Sequence, residues 1–318
     1  MTVPLPVGPL TPYCTPEILV QAPTGISWST IPPGRDVTYE MRLAEQSNIC
    51  QRATAMIDSY CNQVLRASIN TEQYSGPDYR MTIQNGTGNV RMILQRWPIL
   101  SIISVQVSPN AVFPRQWSTL SSGMWDIEWP PLGIYGTNAP SSAGEGGQSI
   151  VLAPGTASWC LGRHGFQIKV QYVNGWPHTG LTVAASAGDM SIQVDDCTGW
   201  TITSEATDIT GATGTIYDSG SQEVAQVTAA TATSGPGTLT LANALTFNHD
   251  AGTMVTTLPP SVIWAAILYS SGIALTRGAT ATTVQTIPGG SASTTAARGP
   301  TDLGSQAQML LNPFRRVI

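Results

Sequence analysis

The chain has 318 residues, which is enough for about two ordinary domains with a sizeable core. Hydrophobic residues make up 42% of it, which excludes a disordered chain, but only 10% are charged, against roughly 25% in an average soluble domain. The net charge is -5 and the only lysine is Lys169, so the sequence lacks the basic stripe that nucleic-acid binding through phosphates requires.

The first 35 residues contain eight prolines, a density that predicts an extended N-terminal arm over residues 1–35 rather than packed secondary structure. The opening stretch MTVPLPVGPLTPYC has no basic region, so we expect no signal peptide. The five cysteines are scattered without a CxxC pair, and free thiols in a reducing compartment are the simpler interpretation.

The clearest amphipathic helix follows the arm and ends near Leu65. Asp36 or Thr38 is a suitable N-cap, with Glu40 in the first turn, and apolar residues then recur at helical spacing. Asn85-Gly86 lies between YRMTI and VRMILQ and predicts a β-hairpin. The helix is expected to bury one stripe against a core.

Two further strands are predicted downstream of the hairpin. The run ILSIISVQV after Trp97-Pro98 is apolar at both alternate positions, as expected of a strand covered on both faces. Phe166, Ile168, Val170 and Tyr172 alternate with polar residues, which indicates a strand with one wet face. Between them, NAPSSAGEGGQS has the composition of a flexible loop.

Charge balance changes sharply in the second half of the chain. Residues 181–257 contain eight acidic residues and no lysine or arginine, and their short apolar runs are separated by Gly, Asp and Ser clusters. Strand spacing of this kind is typical of a small antiparallel sandwich or barrel. We therefore predict an acidic β domain over residues 180–257.

The stretch LPPSVIWAAILYSSGIALTRG, residues 258–278, contains the longest nearly uncharged apolar run. Val262 to Leu275 gives about fourteen apolar or small residues before Arg277, short of the roughly 20 that cross a bilayer, so we predict a buried helix. A last helix is predicted from about Asp302 to Leu311.

Motifs for catalysis are mostly absent from the sequence. There is no G-x-S-x-G elbow, phosphate loop or dinucleotide fingerprint, and His164, His178 and His249 lie far apart. The stretch MWDIEWPP would place Asp126 and Glu128 on one face of a strand about 7 Å apart, a separation that suits an inverting glycosidase. We favour an ordinary half-buried strand, and expect no enzyme activity and no cofactor.

Three acidic residues of the β domain, Asp195, Asp196 and Asp208, could be considered as calcium ligands. Calcium loops place oxygen ligands at tight alternate spacing, and the sequence Asp-Asp-Cys-Thr-Gly does not fit such a loop. We interpret these side chains as solvated turn carboxylates and expect no metal site.

The C-terminus combines an apolar segment with a basic pair. Such a hook either caps its own core or docks into a groove of a partner, and we favour docking. The residues concerned are Leu310, Leu311, Asn312, Pro313, Phe314, Arg315, Arg316 and Val317.

In this order, the pieces resemble the ring-forming head-tail connector or adaptor proteins of tailed bacteriophages, of the HK97-like type. The resemblance is carried by LTPYCTPEILVQAPTGISWSTIP, AMIDSYCNQVLRA, LQRWPILSIISVQV, YVNGWP, LPPSVIWAAILYSSGIALTRG and the terminal AQMLLNPFRRV. In such adaptors the strand that ends at YVNGWP leads directly to the helix. Here the acidic β segment separates them, which indicates a domain inserted into a loop.

The resemblance implies a structural virion protein with an α+β fold. Its parts would be the arm (1–35), a mostly helical adaptor core with β-hairpins and a small sheet (36–179 and 258–318), and the inserted all-β domain (180–257). Twelve copies would form a ring under the portal protein, assembled in the host cytoplasm, joining the next neck or tail protein and passing double-stranded DNA without sequence-specific binding. The C-terminal hook residues, Leu310 to Val317, would bind the portal, and no membrane is involved.

Two alternatives stay open. Within the structural class, the chain could be another neck or tail component, such as a stopper or a tail terminator. In a different class, the inserted β domain could be a module that binds glycans or the host surface.

Overall fold

A computed structural model describes residues 11–34, 36–75, 81–83, 89–109, 114–128, 149–153, 166–201, 211–218, 220–278 and 300–316. Within these residues, three large hydrophobic cores are found: one among helices, one between two β-sheets, and one inside a third sheet; a fourth, small cluster contains Ala67, Leu100 and Val173. Each core belongs to a structural unit described below.

The helical unit contains α1 (Pro16–Gln21), α2 (Tyr39–Cys61), α3 (Pro260–Thr276) and α4 (Pro300–Leu311). Helix α2 begins at Thr38, whose hydroxyl accepts a hydrogen bond from the amide of Met41 at 3.3 Å. It ends at Asn62, whose left-handed φ of 56° lets Gln63 donate its amide to the carbonyl of Asp58. The cap and the end therefore both follow from local side-chain chemistry.

Helix α3 is the centre of the helical unit. It is buried along most of its length against α2 and α4, and Trp264 is its one large exposed apolar side chain. Arg277, at the end of α3, forms an ion pair with Glu45 in α2, so the two helices run antiparallel. Among the described residues, no helix has both the length and the apolar character needed to span a membrane.

The N-terminal region differs from the predicted extended arm. From Thr11 onward it packs on the helices, and Tyr13, Cys14 and Leu19 are fully buried. Helix α1 is capped by Thr15, and Pro16 occupies the first turn, where the missing amide of proline costs nothing. Pro16 therefore lies at the start of a helix and not in an extended arm. The buried apolar residues of this region are isolated from one another, so no helical periodicity predicted the packing.

The second unit is a β-sandwich of two four-stranded antiparallel sheets. The first sheet has the order β1 (Ser68–Ser75), β8 (Phe166–Asn174), β4 (Ile99–Pro109) and β5 (Ser118–Thr119). The second has the order β2 (Met81–Ile83), β3 (Val90–Ile93), β7 (Ser149–Leu152) and β6 (Trp125–Glu128). The turn predicted at Asn85-Gly86 and most of the loop NAPSSAGEGGQS lie outside the described residues.

The two sheets face each other through alternate residues of their strands. Val105 and Val170 from the first sheet pack in one core with Met92 and Ile150 from the second, and all four are fully buried. The period of two places these apolar side chains on the inner faces. The strand β4, predicted to be covered on both faces, also contributes Leu100 to a small outer cluster with Ala67 and Val173.

The expectation of an α+β fold with a mostly helical core is wrong. Most regular structure in the described residues is β, in three antiparallel sheets, and the described residues between α2 and α3 form strands and one 3₁₀ turn, Ser122–Met124. Strand β1 has the polar sequence SINTEQYS and buries only Tyr74 deeply, so it could not be predicted from an alternation of apolar residues. Its stability comes from an eight-residue ladder with β8, which is a long-range contact.

The third unit is a six-stranded antiparallel sheet formed within residues 178–256. Its order is β10 (Ser191–Val194), β13 (Gly237–Leu241), β12 (Glu223–Ala230), β11 (Thr213–Tyr217), β14 (Met254–Thr256) and β9 (His178–Gly180). Its two edges meet, since Thr182 donates its amide to Gln193 at 3.0 Å and Asp195 donates to Gly180 at 3.1 Å. The sheet thus curls into a small, partly closed barrel around Trp200.

The two ends of the barrel segment lie side by side. Strands β9 and β14 are antiparallel neighbours, with Gly180 opposite Met254 and His178 opposite Thr256. Directly before them, Gly175 has a φ of +97°, and a Cβ atom there would come within 2.5 Å of the carbonyl oxygen of Arg66. Glycine is therefore required where YVNGWP turns from β8 towards the barrel.

Candidate partner-binding site

The C-terminal hook comprises the predicted portal-binding residues, Leu310 to Val317. The structure describes it as far as Arg316, and Val317 lies outside the described residues. Helix α4 leads into it by packing on α3, with Ala307 and Leu311 fully buried. The hook therefore starts from an anchored helix.

Phe314 anchors the hook in an aromatic cluster. Its ring is stacked on Trp97, with centroids 6.5 Å apart, and meets Trp176 edge to face at 5.5 Å. Trp97 and Trp176 are themselves 6.0 Å apart in an edge-to-face arrangement. Such pairs add about 0.5–1.5 kcal/mol each beyond the area they bury, so the hook is held on the chain's own core.

Polar contacts complete the docking of the hook. The amide of Arg316 donates to the carbonyl of Cys61 at 2.9 Å, and the Gln63 side chain donates to the carbonyl of Phe314 at 3.0 Å. The guanidinium of Arg316 donates to Gln95 Oε1 at 2.7 Å. Because Cys61 is the last residue of α2, its carbonyl has no partner within the helix, and the hook supplies one.

The outer side of the hook faces away from this core. Asn312, Pro313 and Arg315 are exposed; Asn312 accepts a hydrogen bond from the Tyr60 hydroxyl at 2.6 Å, and the Arg315 guanidinium lies 5.4 Å from the Tyr60 ring centroid. Met309, before the hook on α4, is 70% exposed. Methionine and arginine are both enriched at protein interfaces, so this outer side has the composition of a contact surface.

No sequence pattern predicted a second junction, here called the N-terminal clasp, which comprises Thr11 to Cys14. The amide and hydroxyl of Thr11 both donate to Asp195 Oδ2, at 3.2 and 2.7 Å. The other oxygen of Asp195 accepts from Thr179 Oγ1 and from the amide of Gly180. The carboxylate interpreted as solvated therefore joins the clasp to the barrel.

His178 holds the clasp from its other side. Its Nε2 lies 3.1 Å from the carbonyl oxygens of both Thr11 and Pro12, and its Nδ1 lies 2.8 Å from Thr256 Oγ1. Burial lowers the pKa of His178 to about 4, so the ring is neutral near pH 7. The neutral ring donates from Nε2 to the carbonyls and accepts at Nδ1 from the threonine hydroxyl.

Tyr13 connects the clasp to α2. Its hydroxyl donates to Asp58 Oδ1 at 2.6 Å and accepts from the amides of Leu65 and Arg66 at 3.0 and 3.1 Å. Burial raises the pKa of Asp58 to about 6, against the opposing effect of the hydrogen bond from Tyr13. The clasp thus joins the helical unit to the barrel through satisfied buried polar groups.

His249 is enclosed between two carboxylates within the barrel. Its Nδ1 lies 3.0 Å from Asp218 Oδ2 and its Nε2 lies 2.7 Å from Glu223 Oε1, and the histidine side chain is fully buried. Glu223 also accepts the amides of Thr246 and Phe247. An inaccessible ring with both nitrogens occupied binds neighbouring strands together, whereas a catalytic base needs contact with a substrate.

The acidic residues considered for catalysis or calcium are placed as follows. Asp126 is exposed on β6 and accepts the amide of Ile127 at 2.8 Å, while the Glu128 side chain and Trp129 lie outside the described residues. Asp196 accepts from Thr198 and from the amide of Gly235. Within the described ranges, which omit Asp208 and His164, no group of three candidate ligands is close enough to hold a metal ion.

Comparisons with protein-family models, with curated protein sequences and with solved structures find no match to this chain.

Proposed function

We propose that the chain is a structural protein of a tailed-bacteriophage virion that forms a ring between the portal and the neck or tail. The ring is a conduit for DNA and has no catalytic role. The protein is assembled in the host cytoplasm and resides at the portal vertex.

The observation that carries this proposal is the direct contact between the two segments that flank the barrel. The amide of Thr257 donates to the carbonyl of Pro177 at 2.9 Å. YVNGWP and LPPSVIW therefore continue one another in space, as they do along the chain in the adaptors that this sequence resembles. The barrel can be regarded as an addition to an adaptor core.

Ring formation is supported by an apolar surface at the start of α2. Tyr39 is 74% exposed and Leu43 is 42% exposed, although both lie on the helix face that is buried further along, at Cys50 and Ile57. The first two turns of α2 thus extend beyond the core of their own subunit. In a ring, one such surface is covered by a different surface of the next copy.

The charge of the chain suits a conduit. A wall that binds phosphates tightly would retain passing DNA, because each neutralised phosphate adds to the affinity. The net charge of -5 disfavours retention of the DNA backbone, although thirteen of the fourteen basic residues are arginines, which can bind phosphate.

The C-terminal hook is the proposed portal-binding element. Its outer residues Asn312, Pro313 and Arg315 are available for contact while Phe314 and Arg316 hold the hook in position. Arg315 would contribute charge-assisted hydrogen bonds to a portal carboxylate or carbonyl. The inner residues position this surface.

The test combines the full chain with the portal protein encoded in the same genome. Negative-stain images and native mass spectrometry are expected to show closed rings docked on the portal. Leu43→Glu should prevent ring closure with unchanged circular dichroism, whereas Asn48→Glu, at another exposed position on the same helix, should not. Wild-type protein that stays monomeric with portal present would refute the proposal.

Removing the hook by truncation would also take Leu311 and Phe314 out of the core, so point variants separate the two roles. Arg315→Ala and Pro313→Ala should weaken portal docking at least tenfold and leave thermal unfolding unchanged. Met309→Ala tests whether the surface extends onto α4. Portal docking at wild-type strength in the double variant Pro313→Ala/Arg315→Ala would exclude the hook as the binding element.

A further inference from the structure

Two buried thiols lie in contact where three elements of the helical unit meet. Cys14 Sγ, in the N-terminal clasp, is 3.7 Å from Cys50 Sγ in the middle of α2. Ser270 of α3 places its Oγ 3.5 Å from Cys14 Sγ. Both cysteine side chains are fully buried. The pair was not expected from the sequence, because 36 residues separate them.

The geometry suits a covalent link. A disulfide has a sulfur–sulfur distance of about 2.05 Å, so the two atoms would approach by roughly 1.7 Å. Cys50 is fixed within α2, whereas Cys14 precedes α1 in a segment without regular secondary structure. Cys61 shares α2 with Cys50 but lies about 16 Å further along its axis, beyond the reach of a disulfide.

We propose that Cys14 and Cys50 are a modification site at which a low-molecular-weight disulfide, such as oxidised glutathione, generates an intramolecular protein disulfide. This inference does not depend on the proposed role in a virion. It concerns the chain's own clasp, and it holds for any function that requires residues 11–14 to stay docked.

The reaction proceeds as two exchange steps. The Cys14 thiolate attacks oxidised glutathione, forms a mixed disulfide and releases one glutathione thiolate. The Cys50 thiolate then attacks the sulfur of Cys14 and releases the second. Two protein thiols and one oxidised glutathione thus yield one protein disulfide and two reduced glutathiones, and the protons of the two protein thiols are taken up by the departing thiolates.

The contacts of the pair determine which thiol reacts first. The hydrogen bond with Cys50 lowers the pKa of Cys14, whereas the same interaction together with burial raises the pKa of Cys50. Cys14 is also the residue on the segment that can open. It is therefore the attacking thiol, and Cys50 is the resolving thiol.

The disulfide would fasten a junction that is otherwise held by hydrogen bonds. Cys14 directly follows Tyr13, and the same segment contacts Asp195 and His178 of the barrel. A covalent link to α2 would keep this segment in place whenever those contacts break. It would also close a loop of residues 14–50 in the unfolded chain, which favours the folded state.

Because both thiols are buried, oxidised glutathione reaches them only when the clasp opens. Weakening the clasp should therefore speed oxidation. Asp195→Asn and Thr11→Val remove hydrogen bonds between Thr11 and Asp195 and touch neither cysteine. We expect each substitution to raise the rate of disulfide formation several-fold. If the clasp did not open to expose the thiols, the substitutions would leave this rate unchanged.

The experiment uses the full chain, reduced, desalted and incubated with oxidised glutathione, then quenched in acid. Thiols titrated in guanidinium should fall from five to three, and mass spectrometry of a non-reducing digest should identify the Cys14–Cys50 peptide pair. The urea midpoint of the oxidised protein should rise and return on reduction. Cys197→Ser is the matched control, and its thiol count should fall from four to two.

Several results would overturn the proposal. These are five remaining thiols in both wild type and Thr11→Val, a persistent mixed disulfide at Cys14, or a cross-linked peptide that contains Cys61, Cys160 or Cys197. Cys14→Ser should retain all four of its thiols under the same conditions, whereas Cys50→Ser should retain three and carry a glutathione mixed disulfide at Cys14. The peptide map of the wild-type chain decides the matter even if a serine variant fails to fold.

Discussion

The backbone amide of Thr257 donates a 2.9 Å hydrogen bond to the carbonyl of Pro177, although eighty residues separate them along the chain. The Thr257 hydroxyl approaches the same oxygen at 3.2 Å. Two paired strands, β9 and β14, continue from this contact into the barrel. The entry and exit of the barrel are thus one short antiparallel pair, so removing the barrel requires joining only two neighbouring strand ends.

The first prediction follows from the register of that pair. Gly180 lies opposite Met254, so replacing residues 181–253 by Asn-Gly should convert β9 and β14 into a two-residue hairpin. We expect a helical circular dichroism signal and cooperative unfolding in urea. The loss of the Asp195 hydrogen bonds to Thr11 should lower the free energy of unfolding by about 1–3 kcal/mol.

A deletion that is one residue longer serves as the control. Removing residues 181–254 with the same turn shifts the register of β14 and eliminates Met254, which is fully buried in the helical core. This variant should be clearly less stable than the first. If both deletions lose cooperative unfolding, the barrel is needed for the rest of the chain to fold, and the description of it as an addition is wrong.

Local chemistry explains which elements the sequence could predict. The apolar stripe of α2 with Thr38 before it, and the uncharged run of α3 after Pro259, predicted both helices within a few residues of their ends. Strand β8 was predicted from its strict alternation. In each case the signal lies within one element and needs no information about its neighbours.

The missed features depend on partners far along the chain. Strand β1 is polar and is stabilised by its ladder with β8, while the clasp joins Thr11 to Asp195 across 184 residues. No rule of sequence spacing relates such distant residues. The expectation of a mostly helical core came from the resemblance to adaptors and not from the residues themselves. The hook was predicted as a segment, but its attachment to Trp97 and Trp176 required the fold.

The second prediction concerns Asp58. Burial raises its pKa to about 6, above the value of about 4 in an unfolded chain, so the folded state favours the protonated acid. This contribution to stability is complete below about pH 4 and is lost as the pH rises through 6. As the pH rises from 4 to 6.5, the free energy of unfolding of Asp58→Asn should therefore rise relative to that of the wild type by up to about 3 kcal/mol.

The third prediction is the opposite slope for His178. Its pKa is lowered to about 4, so its contribution is complete above about pH 6.5 and is lost as the pH falls through 4. As the pH rises from 4 to 6.5, the free energy of unfolding of His178→Gln should fall relative to that of the wild type by up to about 3 kcal/mol, because the variant lacks the contribution of the neutral histidine. The two effects nearly cancel in the wild-type chain. Urea unfolding of the three proteins at four pH values tests this, and parallel curves would contradict both assignments.

The fourth prediction addresses the enclosed histidine of the barrel. His249→Ala leaves the carboxylates of Asp218 and Glu223 close together without the ring between them, and should lower the free energy of unfolding by about 3–5 kcal/mol. Phe247→Ala is the control, because its side chain is 41% exposed and its amide contact with Glu223 is retained. Equal effects of the two substitutions on the urea midpoint would show that the His249 ring does not stabilise the barrel.

The fifth prediction concerns the attachment of the hook. Phe314→Ala removes both ring contacts to Trp97 and Trp176. Because Phe314 is half-buried, we expect a loss of about 2 kcal/mol, less than for a fully buried phenylalanine. Water would then reach the two indoles, and the tryptophan emission should shift to longer wavelength. The exposed Pro313→Ala should change neither quantity.

Portal docking separates positioning from direct contact in the same two variants. If the hook must be held in place to bind, Phe314→Ala should weaken docking even though its ring faces its own core, and Pro313→Ala should weaken docking without any change in emission. A Phe314→Ala protein that shows shifted emission but docks normally would mean that the free hook binds as well as the attached one. The cluster with Trp97 and Trp176 would then serve the stability of the helical unit alone, by covering the end of α2 at Cys61.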